Sequence, residues 1–165
     1  MHDQHPTPAL APVVELPAAT GPVDVTGPGL PHVRIARTAG TEADPLVPIG
    51  TRDPALLTLT VDGRPQRLTP AKGRLSRRSY RVDARVDGTR YRLVPCSYGE
   101  SRLLRDGRRL GELESSGDGR VSAEWREGAR VSPQDAAVGT ALAAAFGTGA
   151  QPLWESLLDV VTELF

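Results

Sequence analysis

The middle of the chain alternates between apolar and polar residues, and four Asp-Gly pairs interrupt this alternation. The pairs are Asp62-Gly63, Asp87-Gly88, Asp106-Gly107 and Asp118-Gly119. An Asp-Gly pair between strand-like runs predicts a hairpin, because both central residues of a type I′ turn need a positive φ. Successive hairpins predict an antiparallel meander, since parallel strands would need a longer crossover between them.

The clearest predicted hairpin joins Ser79–Val86 to Thr89–Val94, with apolar side chains on one face and Arg on the other. The earlier arm, Arg64–Leu68, contains Pro65, which lacks an N–H donor and therefore predicts an edge strand. The alternation slips between Leu110 and Leu113, which predicts a β-bulge at Gly111. A last strand over Arg120–Glu127 is expected to turn Val121, Ala123 and Trp125 inward.

The last third of the chain has a helical pattern. Ser132 as N-cap, Pro133 at the first helical position and Asp135 two residues later predict a helix that ends at Gly147. The stretch from Ala136 to Phe146 is apolar on nearly every side and rich in Ala, which predicts that this helix is buried on every side. The sequence leaves open whether it is threaded through a barrel or packed on a sheet.

A second, amphipathic helix is predicted from Pro152 to Phe165. Its apolar face either packs on the protein's own sheet or forms an interface with a protein partner or a second copy of the chain. The residues predicted for such an interface are Trp154, Leu157, Val161, Leu164 and Phe165.

Proline is concentrated near the beginning of the chain: ten of the fifteen lie between Pro6 and Pro54. Because Pro fixes φ and removes a donor, residues 1–30 are predicted to form a disordered or extended tail. Residues 31–165 are predicted to form a single domain, which agrees with a total length of 165 residues.

Composition favours a soluble protein with a packed core. The hydrophobic fraction is 39%, the formal net charge is zero, and only 4% of the residues are aromatic. The single Cys96 excludes an internal disulfide, and the sequence shows no secretory signal and no transmembrane segment, so a cytoplasmic location is predicted. The three His lie in the Pro-rich part, without a set of Cys or acidic residues that could complete a metal site, so no metal site and no cofactor is expected.

Charge is segregated along the chain although it sums to zero. Residues 64–109 hold 14 basic and 4 acidic residues. If the Asp87-Gly88 loop has two residues, Arg85 faces Arg90 and Asp83 faces Arg92. In the next hairpin, Arg105 faces Arg108. Like charges directly opposite each other destabilise a sheet, so the pairs suggest a neutralising anion. The predicted anion-binding residues are Arg85, Arg90, Arg92, Arg105 and Arg108.

The anion in question would be an anionic lipid or a phosphate ligand, because the planar fork of Arg donates two hydrogen bonds to a phosphate. The alternative is that solvent or the acidic parts of the chain neutralise these side chains. Nucleic acid is the weaker hypothesis, because Tyr80 and Tyr91 lie on the apolar face, opposite the Arg, and single-strand binding needs exposed rings.

Catalysis has little support in the sequence. No His outside the Pro-rich part of the chain is present to activate Cys96, because all three His lie within that part. Glu112, Glu114 and Glu124 are expected to meet across a hairpin, where surface ion pairs with Arg are their ordinary role. The chain is therefore predicted not to be an enzyme.

Residues 79–146 resemble the tubby C-terminal-like superfamily, which includes LURP-one-related and scramblase-related proteins. The pattern that carries the resemblance is Tyr91-Arg92-Leu93, then Leu104 to Leu113 with its Asp-Gly-Arg turn, then Val121 to Trp125, and then the apolar run from Asp135 to Phe146. The resemblance implies an antiparallel barrel around a buried helix. Some members bind phosphoinositides, so it also implies lipid binding.

The sequence therefore predicts an α+β fold: an antiparallel β-meander, curled or barrel-like, around a buried Ala-rich helix, followed by an amphipathic helix. The predicted function is that of a non-catalytic binding module for an anionic ligand or membrane surface. The alternative is a protein-interaction or assembly factor that uses the C-terminal helix to bind a protein partner or to form a homodimer.

Overall fold

Strands that follow one another along the chain build most of the structure. The computed structural model describes residues 12–15, 21–73, 77–97, 99–115 and 120–147, and within these it contains ten strands and one α-helix. The strands are β1 Val13–Glu15, β2 Val23–Thr26, β3 Val33–Arg37, β4 Leu57–Val61, β5 Arg64–Pro70, β6 Val82–Val86, β7 Thr89–Ser97, β8 Glu100–Arg105, β9 Arg108–Ser115 and β10 Val121–Trp125. The helix, α1, is Pro133–Phe146, and two short 3₁₀ turns lie at Pro54–Leu56 and Arg77–Tyr80.

Every strand pairs in antiparallel fashion with its neighbours in sequence, in the order β1 to β10. The sheet curls into a nearly closed barrel, so the predicted meander and its curled form are confirmed. The second predicted helix, over 152–165, lies outside the described residues.

Three of the four predicted Asp-Gly turns are confirmed. Asp62, Asp87 and Asp106 have φ values of 49°, 47° and 48°, and the glycines that follow them also have positive φ. These are the backbone conformations that a two-residue type I′ loop needs. The fourth pair, Asp118-Gly119, lies outside the described residues.

The helix α1 begins and ends where the sequence predicts. The Ser132 hydroxyl accepts a hydrogen bond from the Asp135 N–H, and the Asp135 carboxylate accepts one from the Ser132 N–H, which completes a capping box. Gly147 ends the helix with a φ of 70°. Every residue from Asp135 to Phe146 is buried.

The helix fills the inside of the curled sheet. It packs against β1, β2 and β3 near one edge of the sheet and against β7, β8, β9 and β10 toward the other. Its small residues allow this close approach: a Cβ added at Gly139 would lie 2.5 Å from Leu103 Cδ2. The predicted burial of the helix is therefore confirmed.

Part of the predicted tail belongs to the sheet instead. β2 pairs with β1 on one side and β3 on the other, and Val23 and Val25 are fully buried. Pro22 and Pro28 flank this strand without interrupting it, and its two valines alternate with polar residues. Within residues 1–30, which the sequence predicts as a disordered or extended tail, β2 is thus extended and paired with a strand on each side.

The prediction that the Arg64–Leu68 arm is an edge strand is wrong. β5 pairs with β4 on one side and with β6 on the other. Pro65 faces Thr60 of β4, whereas pairing with β6 begins only at Arg67. Pro65, which has no N–H donor, thus lies in the part of β5 that pairs with β4 alone.

A bulge interrupts the pairing of β8 with β9, one residue from its predicted position. Leu103 faces Gly111 and Leu104 faces Arg109, which leaves Leu110 as the extra residue. In β10, Val121 and Trp125 pack against the core as expected, whereas Ala123 is exposed.

Candidate anion-binding site

Three arginines lie side by side on the outer face of the sheet. Arg67 of β5 faces Arg85 of β6, and Arg85 faces Arg90 of β7. All three side chains are exposed, because strand alternation turns Leu68, Ala84 and Tyr91 inward and the arginines outward. We call Arg67, Arg85 and Arg90 the arginine row.

The arginine row lines a shallow groove of about 420 Å³. The next row of residues along the strands forms one side of this groove: Thr69 faces Asp83, and Asp83 faces Arg92. Leu104 and Gly107, from β8 and its turn, complete the lining.

The guanidinium groups of the arginine row have no hydrogen bond or ion pair among the residues that the structure describes. Their neighbours do. Arg64 donates to Asp87 over 3.0 Å, and Arg92 donates to Asp83 over 2.6 Å. The described part of the protein therefore neutralises the arginines around the row and leaves three like charges in register, an arrangement that costs stability.

Arg92, a predicted anion ligand, lies in the groove, but its guanidinium already forms an ion pair with Asp83. Two hydrogen bonds join the two side chains, at 2.6 and 3.2 Å. The hydrogen bonds to the Asp83 carboxylate raise the pKa of the Arg92 guanidinium. Arg81 Nε also lies 3.9 Å from the Asp83 carboxylate. Arg92 therefore borders the site as a side chain that already has a partner.

Arg105 points into the protein, and its predicted role as an anion ligand is not supported by its position. By the alternation of β8 it shares the inward face with Ser101 and Leu103. Its guanidinium donates to the Asp135 carboxylate and, over 3.0 Å, to the carbonyl oxygen of Arg130. It serves the start of α1 and not the groove.

Asp135 collects donors from three elements. Besides Arg105, the Tyr91 hydroxyl donates to it over 2.6 Å and the Ser132 N–H over 2.9 Å. The carboxylate is only 1% exposed, so these donors replace its hydration. Burial, reinforced by the hydrogen bond to Asp135, raises the pKa of the Tyr91 hydroxyl.

Arg108 faces Arg105 across the β8–β9 turn, as predicted. It is exposed, without a hydrogen bond or ion pair among the described residues, and it is not part of the groove lining. Of the five predicted residues, the structure thus brings Arg85, Arg90 and Arg92 together and separates Arg105 and Arg108 from them.

Sequence reasoning missed Arg67. It lies in the arm after the Asp62-Gly63 turn, which the sequence does identify as a strand. Because Pro65 suggested an edge, pairing between this arm and β6 was not expected. The signal that could have found Arg67 is its place in that pairing, where it continues the Arg85–Arg90 row by one strand.

Arg52 shows how this protein holds an arginine for structure. Its guanidinium donates to the carbonyl oxygens of Ala71 and Tyr80 at 2.9 and 2.8 Å. It also lies over the rings of Tyr80 and Phe146, 5.3 and 5.6 Å from their centroids. Burial lowers its pKa to about 10. No such set of carbonyls and rings surrounds the arginine row in the described residues.

The side chains considered for catalysis make ordinary contacts. The Cys96 thiol lies 3.5 Å from the carbonyl oxygen of Glu100. Glu112 faces Glu124 across the β9–β10 pairing, as expected, whereas Glu114 faces Ser122. Glu112 also forms an ion pair with Arg109. The predicted interface residues of the C-terminal helix lie outside the described residues, so that interface stays a prediction.

Comparison of the chain with protein-family models, curated proteins and solved structures found no match. The resemblance to the tubby C-terminal-like superfamily therefore stays a hypothesis. Within the described residues, no helix combines the length and the apolar character that crossing a membrane requires.

Proposed function

We propose that this protein is a non-catalytic binding module that takes up an anion in the groove lined by the arginine row. The observation that carries the proposal is the contrast among the exposed arginines of neighbouring strands. Arg64 and Arg92 are paired with carboxylates, whereas Arg67, Arg85 and Arg90 stand in register without a partner among the described residues.

Phosphate is the anion that suits this arrangement. A guanidinium donates two parallel N–H bonds to a phosphate, and neighbouring strands hold the arginines at one strand spacing, ~4.8 Å. Binding would relieve the repulsion within the row, so the site gains more from an anion than an isolated surface Arg does. A free phosphate compound and a lipid headgroup share this chemistry.

The test is isothermal titration of the protein with pyrophosphate at ~0.15 M salt, where the screening length is about 8 Å and diffuse attraction is weakened. The variant Arg85→Ser/Arg90→Ser is expected to lose binding. The matched control, Arg108→Ser/Arg126→Ser, removes the same charge from exposed positions outside the groove and is expected to bind normally. Equal loss in both variants, or intact binding in the first, would contradict the proposal.

Co-sedimentation with vesicles separates the two sources of phosphate. Retention on anionic but not neutral vesicles at ~0.15 M salt, lost in Arg85→Ser/Arg90→Ser, would identify a lipid headgroup as the source. Binding of soluble phosphate compounds without retention on vesicles would identify a free ligand.

A further inference from the structure

We infer that the groove takes a linear chain of two or more phosphates in preference to a single phosphate. This inference rests on the proposed function. Arg67 and Arg90 are separated by two strand spacings, or roughly 9.5 Å between their Cα atoms. A single phosphate between two neighbouring arginines leaves the third unused, whereas a chain laid across the strands presents oxygens to all three in turn.

Carboxylates border the row on both sides and confine its positive charge to a line. Asp83 precedes Arg85 by two residues, on the same face of β6, and Asp87 follows Arg85 by two residues in the turn. Asp83 is paired with Arg92, and Asp87 with Arg64. Because both carboxylates are already paired, the arginines without a partner among the described residues form a line across the strands, which a narrow anion can follow along the row.

Among the described residues, the groove offers no exposed aromatic ring for a nucleobase. Tyr91 is the only aromatic residue in the part of the lining that the structure describes, and it is 1% exposed with its hydroxyl bound to Asp135. Stacking on a ring is the usual source of affinity for a base without sequence preference. The phosphate chain itself is therefore the recognised chemistry, whether it is inorganic or carried by a nucleoside.

The test is a titration series at ~0.15 M salt, without divalent cations, using phosphate, pyrophosphate, tripolyphosphate and a nucleoside triphosphate as probes. Affinity is expected to rise by roughly tenfold or more from phosphate to tripolyphosphate, since one further charge-assisted contact supplies about that factor. The nucleoside triphosphate is expected to bind no more tightly than tripolyphosphate. Citrate, a compact anion of comparable charge, serves as the control and is expected to bind more weakly than tripolyphosphate.

Single variants test the line of charge. Because Arg85 lies in the middle, Arg85→Gln is expected to weaken phosphate and tripolyphosphate alike. Arg67→Gln and Arg90→Gln each leave one pair of neighbouring arginines intact. They are therefore expected to lower the affinity for tripolyphosphate to that for pyrophosphate and to leave the affinity for phosphate unchanged.

Equal affinities for phosphate and tripolyphosphate would overturn the inference and leave the proposed function standing. Tighter binding of the nucleoside triphosphate than of tripolyphosphate would also overturn it, as would retention on anionic vesicles alone. Absence of binding by every probe would overturn both.

Discussion

Asp135 carries three structural roles at once, since it caps α1, pairs with Arg105 and accepts the Tyr91 hydroxyl. Replacing it with Ala would leave two buried or half-buried donors without their acceptor and remove one half of the capping box. We expect Asp135→Ala to lower the free energy of unfolding by about 2–4 kcal/mol, measured by urea denaturation.

The control for that variant is Asp83→Ala, which removes an exposed ion pair with Arg92. Its cost is expected to stay below about 1 kcal/mol. Similar costs for the two variants would show that the buried carboxylate contributes no more to stability than a surface one.

Because of Tyr91, the free energy of unfolding is expected to depend on pH in the alkaline range. Its pKa is raised in the folded state, mainly by burial, so folding favours the neutral hydroxyl. This stabilisation is complete below the unfolded pKa of about 10 and is lost as the pH rises toward the folded pKa. We expect the free energy of unfolding to fall above about pH 10 in the wild type and to fall less steeply in Tyr91→Phe, measured by urea denaturation at several pH values. Parallel curves for the two proteins would contradict the assignment.

Ser101 is a buried residue whose hydroxyl has no hydrogen-bond partner among the residues that the structure describes. Replacing Ser101 with Ala removes only the hydroxyl oxygen. The cost of burying that oxygen disappears, and the packing of β8 stays nearly unchanged. We expect Ser101→Ala to raise the free energy of unfolding by up to about 1 kcal/mol. Ser122→Ala, at an exposed position of β10, is the control and should change stability little. Destabilisation by Ser101→Ala would indicate an internal partner for the hydroxyl.

At the scale of elements, two glycines set how closely neighbouring elements approach. A Cβ at Gly111 would meet backbone, namely the Glu124 carbonyl oxygen and, at 2.9 Å, Trp125 Cα. A Cβ at Gly139 would meet the side-chain end of Leu103. Backbone cannot move aside without shifting β10, whereas a leucine can change its rotamer at a smaller cost.

We therefore expect Gly111→Ala to lower the free energy of unfolding by about 1–3 kcal/mol. Gly139→Ala should cost less, because Ala favours a helix over Gly by about 1 kcal/mol and offsets part of the crowding. Both values come from urea denaturation. The reverse order would mean that β10 yields more easily than the core around Leu103.

The elements that the sequence predicts well are those fixed by local chemistry. The Asp-Gly pairs specify their turns, and Ser132, Asp135 and Gly147 specify both ends of α1. Pairing partners depend on distant residues, and there the prediction is weaker. The prolines around β2 suggested a tail, and Pro65 suggested an edge, because Pro reports only on its own hydrogen bond and not on which strand lies next to it.

At the scale of the molecule, the same limit explains which part of the candidate site was foreseen. The two-residue turn after Val86 fixes the register of Arg85 with Arg90, so the sequence predicts that pair. The connection from β5 to β6 is long and fixes no register, so Arg67 could not be placed beside them. The β8–β9 turn predicts that Arg105 faces Arg108, but the direction of the Arg105 side chain follows from the inward parity that it shares with Leu103.

The charge pattern of this face also predicts how its affinity for anions can be changed. In the wild type, Asp83 neutralises Arg92 beside the arginine row. We expect Asp83→Asn to free Arg92 and raise the affinity for phosphate and tripolyphosphate alike, by about three- to tenfold, measured by isothermal titration at ~0.15 M salt. Arg92→Gln in the Asp83→Asn background should return both affinities toward the wild-type values. An unchanged affinity in Asp83→Asn would show that Arg92 has no access to the groove.

The order of the elements along the chain has a consequence for synthesis. All ten described strands precede the helix that fills the inside of their sheet, so a chain emerging from the ribosome exposes its apolar inner face before residues 133–146 have appeared. Hairpins with short turns can form early, because each strand pairs with the next strand along the chain. The curled sheet nevertheless has nothing to close around until the helix arrives, and the nascent protein is most vulnerable to aggregation in that interval.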